Sequence, residues 1–117
     1  MKIFLKENVW DAALERIDYV FNEFDEVVVS FSGGKDSTVI LEMALIVAKE
    51  HGRLPLTVMW LDQEAEWEAV VDYTRRVMYR KTVSPHWLQV PIKLFNATTM
   101  EYPWLNCWED DEEWIRE

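Results

Sequence analysis

Cysteine, glycine and proline are scarce in this chain of 117 residues, which has one, three and four of them respectively. The single cysteine, Cys107, excludes an intramolecular disulfide and a metal site built from several thiolates, and it predicts a cytoplasmic protein. No apolar run approaches the roughly 18 residues of a membrane span. Charges also interrupt the N-terminus MKIFLKENVW too early for a signal peptide. We therefore expect a soluble protein without a membrane segment.

Basic residues are also in short supply. Twelve Lys and Arg stand against 22 Asp and Glu, which gives a formal net charge of −10. This is the wrong sign for general neutralisation of phosphates, so bulk nucleic-acid binding is not expected. Aromatic residues, by contrast, make up 14% of the chain and include seven Trp. Large rings must therefore fill much of the core or of a binding surface.

The periodicity of the sequence predicts alternating helices and strands. Helical spacing begins at Asn8, a predicted N-cap, and recurs over residues 36–50 and 64–81, with Gly52 placed as a C-terminal cap. Three apolar stretches are typical of strands covered on both faces: 26–31 (EVVVSF), 56–61 (LTVMWL) and 86–92 (HWLQVPI). The order predicts an α/β fold, a Rossmann-like parallel sheet with helices on both faces.

A chain of this length fits one domain, residues 1–117. Within it we distinguish an N-terminal helical region at 1–25 and a tail at 95–117 that is rich in Trp and acidic residues. The tail has no sustained period, although residues 108–115 could form a last short helix. Neither an internal repeat nor a flexible linker is evident.

Two of the three glycines, Gly33 and Gly34, lie between the first predicted strand and the next helix. Residues free to take positive φ, placed just before a helix N-terminus with unpaired N–H groups, are the parts of an anion-binding loop. The ammonium of Lys35 and nearby hydroxyls would converge on the same phosphate oxygens; these hydroxyls belong to Ser32, Ser37 and Thr38. The pattern is neither Walker A nor G-x-G-x-x-G, because Val29 and Asp36 occupy key Walker positions.

The segment SGGKDS resembles the PP-loop, SGGxDS, of the adenine-nucleotide α-hydrolase superfamily. The longer stretch VVVSFSGGKDSTVILEMAL, followed by VMWLDQEAEW, looks most like the phosphoadenosine phosphosulfate (PAPS) reductase branch, particularly divergent phage-encoded members. The resemblance covers roughly residues 24–117. It implies a truncated or minimal PP-loop domain that binds ATP or PAPS, with PAPS reductase-like or ATP pyrophosphatase-like chemistry.

The resemblance also implies roles for individual residues. Six would bind the phosphate end of the nucleotide: Ser32, Gly33, Gly34, Lys35, Asp36 and Ser37. Four would lie beside the adenosine: Ser30 and Phe31 at the end of the first strand, and Leu61 and Asp62 at the end of the second. The carboxylate of Asp36 either starts the helix and points away from the phosphates or binds Mg²⁺ that accompanies the nucleotide. No catalytic residue is assigned.

Several of these features also have structural explanations. Asp62 and Glu64 could simply start the third helix, where acidic residues suit the helix dipole. Cys107 lies among large apolar residues with no basic neighbour in the sequence and is therefore expected to be a packed thiol. The Glu-Cys-Gly-like motif of the family's reductases is missing, so Cys107 is not expected to take their catalytic role. A non-catalytic interaction protein on a relic loop scaffold is the alternative function.

The resemblance further implies a five-stranded sheet in the order 3-2-1-4-5, whereas only three strands are predicted here. The first strand would then have a free edge, which is an aggregation hazard unless it is covered. We expect a homodimer, another protein partner or residues 95–117 to cover it. ATP and PAPS, and a complete or partial chain, stay open alternatives.

Overall fold

The computed structural model describes residues 2–117. Within them three helices and five strands follow one another as α1 (Val9–Glu23), β1 (Val28–Ser30), α2 (Lys35–Glu50), β2 (Leu56–Leu61), α3 (Glu68–Met78), β3 (Val83–Leu88), β4 (Ile92–Phe95) and β5 (Trp104–Cys107). In this part of the chain no helix combines the length and the apolar character that crossing a membrane requires.

The ends of α1 and α2 confirm the capping residues that the sequence predicts. The Asn8 side-chain oxygen accepts a hydrogen bond of 2.9 Å from the backbone N–H of Asp11, as an N-cap should. Just after the C-terminal end of α2, Gly52 takes a φ of +66°. Arg53 N–H then donates to the Ala48 carbonyl at 2.7 Å and closes the helix.

The third helix is shorter than predicted. It begins at Glu68 rather than Glu64 and ends at Met78 rather than Lys81. Glu64 has a φ of +57°, in the left-handed region, so the chain cannot be helical there. The idea that Asp62 and Glu64 start this helix is therefore wrong.

β1, β2 and β3 form a parallel sheet in the order β1-β2-β3. Together with the helices that flank it, this sheet confirms the predicted α/β, Rossmann-like fold. The prediction for β2 matches the structure, but β3 begins three residues earlier than predicted and ends at Leu88. Pro85 lies inside β3, which is tolerated because an edge strand needs hydrogen bonds on one side only.

The helices α2 and α3 pack against the same face of the sheet. Because β1, β2 and β3 follow each other in one direction, right-handed crossovers put both connecting helices on one side. This face holds the core, which includes Val29, Val58, Trp60, Leu41, Ala48, Val71 and Val77. We expected helices on the second face too, but there none of five lining residues is fully buried: Val28, Thr57, Met59, His86 and Leu88. A cavity of about 540 Å³ lies along them.

The tail differs most from expectation. β4 and β5 pair as an antiparallel hairpin that the sequence analysis did not predict, and residues 108–115 form no helix. Trp108 has a φ of +57°, and its N–H donates to the Glu64 carboxylate at 2.7 Å instead of starting a helix. β1 pairs with β2 alone within residues 2–117. Of the expected covers for the free edge of β1, the tail therefore does not pair with it, whereas a homodimer or another protein partner stays a prediction.

Candidate functional site

The loop at residues 32–34 leaves the carboxyl end of β1 and leads directly into α2. Phe31, just before it, is still part of the core, with only 2% of its surface exposed, and its N–H donates to the Met59 carbonyl at 2.8 Å. The chain then turns sharply at Gly33, which has a φ of +75°. Ser32 and Gly34 are exposed. The loop therefore lies open at the edge of the sheet where ligands of parallel α/β folds bind.

Position 33 requires glycine for two reasons: its backbone has a positive φ, and α3 leaves no space for a side chain. A Cβ atom there would lie 2.9 Å from both Thr74 Oγ1 and Val70 Cγ1 of α3, closer than such atoms pack. Gly34 is different, because its φ of −79° suits any residue and a Cβ would meet only Ser32 Oγ at 3.4 Å. Only one of the two glycines thus uses the positive φ that the sequence suggested for both.

Hydroxyl groups hold the loop together from within. Ser32 Oγ donates to Ser37 Oγ at 2.9 Å, and Ser37 Oγ donates to the Gly34 carbonyl at 3.0 Å. Thr38 Oγ1 donates to the same carbonyl at 2.8 Å and lies 3.1 Å from the Tyr73 hydroxyl of α3. These contacts fix the backbone of the loop against both helices.

The first backbone amides of α2 point out of this framework. The first helical hydrogen bond runs from Thr38 N–H to the Gly34 carbonyl at 3.0 Å, and Gly34 makes no side-chain cap. The N–H groups of residues 35–37 therefore have no acceptor within the described chain, at the positive end of the helix dipole. Beside them, Lys35 Nζ lies 3.8 Å from Asp36 Oδ1, and both side chains are more than 90% exposed. Such an arrangement can bind an anion.

Thr74 is a residue of the site that the sequence analysis missed. It is fully buried behind Gly33, and its Oγ1 has no hydrogen-bond partner among residues 2–117. Its place in the apolar spacing of α3 signalled burial, but nothing in the sequence indicated contact with the loop. The loop thus rests on the same helix face that holds Val70 and Thr74.

The loop after β2 is built in the opposite way. Leu61 is 40% exposed, whereas Asp62 is completely buried. The Asp62 carboxylate accepts hydrogen bonds from Trp87 Nε1 at 2.9 Å, from the Glu64 N–H at 2.9 Å and from Arg116 at 2.7 and 3.1 Å. Burial alone would raise the pKa of Asp62, but these bonds outweigh burial and hold the pKa below its usual value.

The tail closes over this second loop. Trp108 Nε1 donates to the Asp62 carbonyl at 2.6 Å, while Arg116 donates to the Glu64 carbonyl at 2.7 Å. The Glu64 carboxylate accepts from the N–H groups of Trp108 and Ile115. We call residues 107–116 the C-terminal strap. Sequence reasoning missed it, although Arg116 stands out as the only base in residues 101–117.

Metal and thiol chemistry find little support in these residues. Within residues 2–117 no three His, Cys, Asp or Glu residues are grouped as a metal site would require. Asp36 offers a single exposed carboxylate. Cys107 is buried, and burial raises the pKa of its thiol, as expected for a packed residue rather than a nucleophile.

The predicted site residues thus divide into two groups. The structure brings Ser32, Gly33, Gly34, Lys35, Asp36, Ser37 and Thr38 together in one exposed loop and helix start. Of the four residues predicted beside the adenosine, Ser30 and Leu61 are exposed, whereas the side chains of Phe31 and Asp62 are buried. This second group is therefore not a continuous surface.

The fold is that of the Rossmann-like α/β class, and comparison with known proteins identifies the family. Residues 26–115 match the family model of the phosphoadenosine phosphosulfate reductase domain, so the chain belongs to that family. It is 34% identical over 119 residues to the uncharacterized protein YbdN of Escherichia coli K12, a match that covers 99% of this chain and 29% of YbdN.

Two shorter matches point in the same direction. Sulfate adenylyltransferase subunit 2 of Mycolicibacterium vanbaalenii is 46% identical over 59 residues, and that of Mycobacterium tuberculosis H37Rv is 44% identical. Each match covers 50% of this chain and 19% of the relative. The chain therefore spans less than a third of the length of these curated relatives. The resemblance to phage-encoded members stays a prediction.

Proposed function

We propose that the loop at residues 32–38 binds the phosphates of an adenine nucleotide, either ATP or PAPS. The observation that carries this proposal is the set of amides at residues 35–37, which have no acceptor in the described chain and lie at the exposed start of α2. Membership of the PAPS reductase domain family and the similarity to sulfate adenylyltransferase subunit 2 support an adenine nucleotide as the ligand.

Each residue of the loop has a role in this proposal. Gly33 lets the backbone turn against α3, and Gly34 leaves room for phosphate oxygens. The hydroxyls of Ser32, Ser37 and Thr38 hold the loop in shape and reorient toward the ligand. The Lys35 ammonium, free to move at the surface, pairs with the phosphate charge.

The adenosine would lie beside Ser30 and Leu61, whose side chains are exposed. Phe31 and Asp62 would act differently. Phe31 anchors the end of β1 in the core. Asp62, with its carboxylate, N–H and carbonyl all in hydrogen bonds, positions the neighbouring loop.

Mg²⁺ would fit this site only as part of the nucleotide complex. A single exposed carboxylate, Asp36, cannot hold the ion alone, but Mg²⁺ is commonly bound by one or two carboxylates together with substrate phosphates. When bound, the ion would neutralise phosphate charge. Asp36 would then face the ion, directly or through water.

The chemistry that follows binding is proposed at the level of a class. AMP-forming or sulfonucleotide chemistry would be completed by a further segment or by a partner. A buried Cys107 with a raised thiol pKa is not expected to supply a nucleophile. The catalytic residues stay unassigned.

A second candidate is a non-catalytic interaction protein on the same scaffold. It is favoured by exposed apolar side chains on the hairpin, with Phe95 at 62% and Trp104 at 51% exposure. It is also favoured by the edge of β1 with which no strand of residues 2–117 pairs. A homodimer or another protein partner would cover that edge, as edge strands usually require.

Isothermal titration with ATP, PAPS and pyrophosphate, each with and without Mg²⁺, separates the two candidates. A charge-assisted hydrogen bond is worth about 1.5–3 kcal/mol, so Lys35→Ala should weaken nucleotide binding roughly ten- to a hundredfold. Lys49→Ala, in the last turn of the same helix, is the matched control and should bind as the parent does. Absence of saturable, Lys35-dependent binding at millimolar ligand would favour the interaction protein.

A further inference from the structure

One exposed tryptophan has no role in the core. Trp67 is 82% exposed, whereas tryptophan side chains in folded proteins are usually well buried. It is the N-cap residue of α3, and no side-chain capping bond is made there. Neither the core nor the helix end therefore accounts for an indole at this position.

Trp67 lies on the helix face that supports the phosphate-binding loop. Positions 67, 70 and 74 share one face of α3, and a Cβ atom on Gly33 would touch both Val70 and Thr74. Trp67 precedes Val70 by about one helical turn, toward the amino end of α3. Because α2 and α3 both follow parallel strands, their amino ends lie at the same edge of the sheet. Trp67 thus lies at the same edge of the sheet as the loop, about one turn before the residue of α3 that a Cβ on Gly33 would touch.

The other groups near this edge offer less surface to a base, since Tyr73 of α3, whose hydroxyl lies 3.1 Å from Thr38 Oγ1, is half-buried with its ring near Phe31. Phe31, the aromatic residue at the end of β1, is only 2% exposed, and Asp62 is fully buried with its carboxylate in hydrogen bonds. Leu61 can contact one side of a ring, but it has no π surface. Trp67 is the exposed aromatic side chain at the amino end of α3, whereas the exposed Tyr79 lies at the other end.

We propose that Trp67 stacks on the adenine ring of the nucleotide, which makes it the base platform of this site. The proposal rests on the function proposed above, because the phosphates must be held by the loop for the base to reach the indole. Stacking uses the π face that all bases share. Trp67 should therefore add affinity for any nucleoside phosphate over the same phosphate chain without a base.

The test compares ATP with inorganic tripolyphosphate, which carries the charge without the base. In competition titrations, Trp67→Ala should weaken ATP binding roughly 5- to 100-fold, and tripolyphosphate binding should stay unchanged. Trp67→Phe, which keeps a ring, should restore most of the ATP affinity. Tyr79→Ala is the matched control, because Tyr79 caps the other end of α3 and is 81% exposed.

The outcomes separate this proposal from the one on which it rests. Lys35→Ala should weaken both ligands, whereas Trp67→Ala should weaken ATP alone. Equal loss of both ligands in Trp67→Ala, or no loss of either, would overturn the base platform while leaving the phosphate loop in place. If the parent binds neither ligand, both proposals fall together. ATP-dependent quenching of tryptophan fluorescence that is absent in Trp67→Phe gives an independent supporting readout.

Discussion

The loops after β1 and after β2 lie side by side at the same edge of the sheet, yet they use their polar groups in opposite ways. The first leaves the amides of residues 35–37 without acceptors in the described chain and its charged side chains in solvent. The second buries Asp62 and satisfies it with Trp87, Arg116 and a backbone amide. The edge of the sheet where ligands of parallel α/β folds bind is thus closed at one strand and open at its neighbour.

This difference indicates where binding energy and folding energy are located. Unpaired donors at the first loop contribute nothing to the free energy of unfolding but are available to a ligand. The second loop holds a buried ion pair, with Arg116 15% and Asp62 0% exposed, whose integrity depends on both partners. Substitutions of the exposed side chains at the first loop, such as Lys35, should therefore act mainly on binding, whereas those at the second loop and at the turn residue Gly33 should act mainly on stability.

The largest expected effect comes from removing the cation of the buried pair. Arg116→Met should lower the free energy of unfolding by about 3–5 kcal/mol, because it leaves the Asp62 carboxylate buried without its positive partner. Chemical denaturation measures this loss. Arg75→Met is the control, since the Arg75–Asp72 pair is about half exposed and should contribute less than about 1 kcal/mol. Equal losses in the two variants would contradict a closed second loop.

The next largest effect tests the open loop, where backbone strain and crowding can be separated. Gly33→Ala combines a positive φ with contacts of 2.9 Å to α3, so a loss of about 2–4 kcal/mol is expected. Gly52→Ala has a similar φ of +66° but nothing within 4 Å, so it should lose only about 1–2 kcal/mol. Gly34→Ala, at ordinary φ, should be nearly neutral.

Denaturation of these three alanine variants gives the ranking directly. If Gly33→Ala and Gly52→Ala lose the same amount, crowding by Thr74 and Val70 plays no part. If Gly34→Ala is as damaging as Gly33→Ala, the hydroxyl contacts of the loop matter more than its turn. The first result would remove the reason for treating α3 as the support of the loop.

The sequence predicts the open loop far better than the closed one, and the reason is distance along the chain. The glycines, the hydroxyls and the helix start of the first loop are neighbours, so their pattern is visible in SGGKDS. The bond from Arg116 to Asp62 joins residues 54 positions apart, and no local pattern pairs them. The late start of α3 has the same origin, because Glu64 leaves the helical region where its carboxylate accepts from the strap.

The strands show the same division. The apolar stretch LTVMWL predicts β2 correctly, although only its alternate residues Leu56, Val58 and Trp60 are fully buried. β4 and β5 are four residues each and pair mainly with one another, so no buried pattern marks them in the sequence. The sequence pattern also does not indicate that no helix of the described chain packs on the second face of the sheet. This arrangement follows from the strand order, which periodicity alone does not determine.

The smallest expected effect is a change with pH in the difference in unfolding free energy between the parent and Arg116→Met. The pKa of Asp62 is lowered in the folded parent, so its stabilising contribution is present above the unfolded value of about 3.9 and is lost as the pH falls through the lower folded value. Without Arg116, the upward effect of burial on the pKa of Asp62 is no longer offset by that hydrogen bond, so this pKa rises relative to the parent. The gap in unfolding free energy between parent and variant should therefore be widest near pH 7 and narrow on acidification below about pH 4. Glu42, whose pKa is lowered by the hydrogen bond from Arg80, titrates in both proteins and cancels in the difference. A gap that stays constant between pH 7 and pH 3 would mean that Arg116 acts through packing on Trp108, over whose ring it lies, rather than through charge.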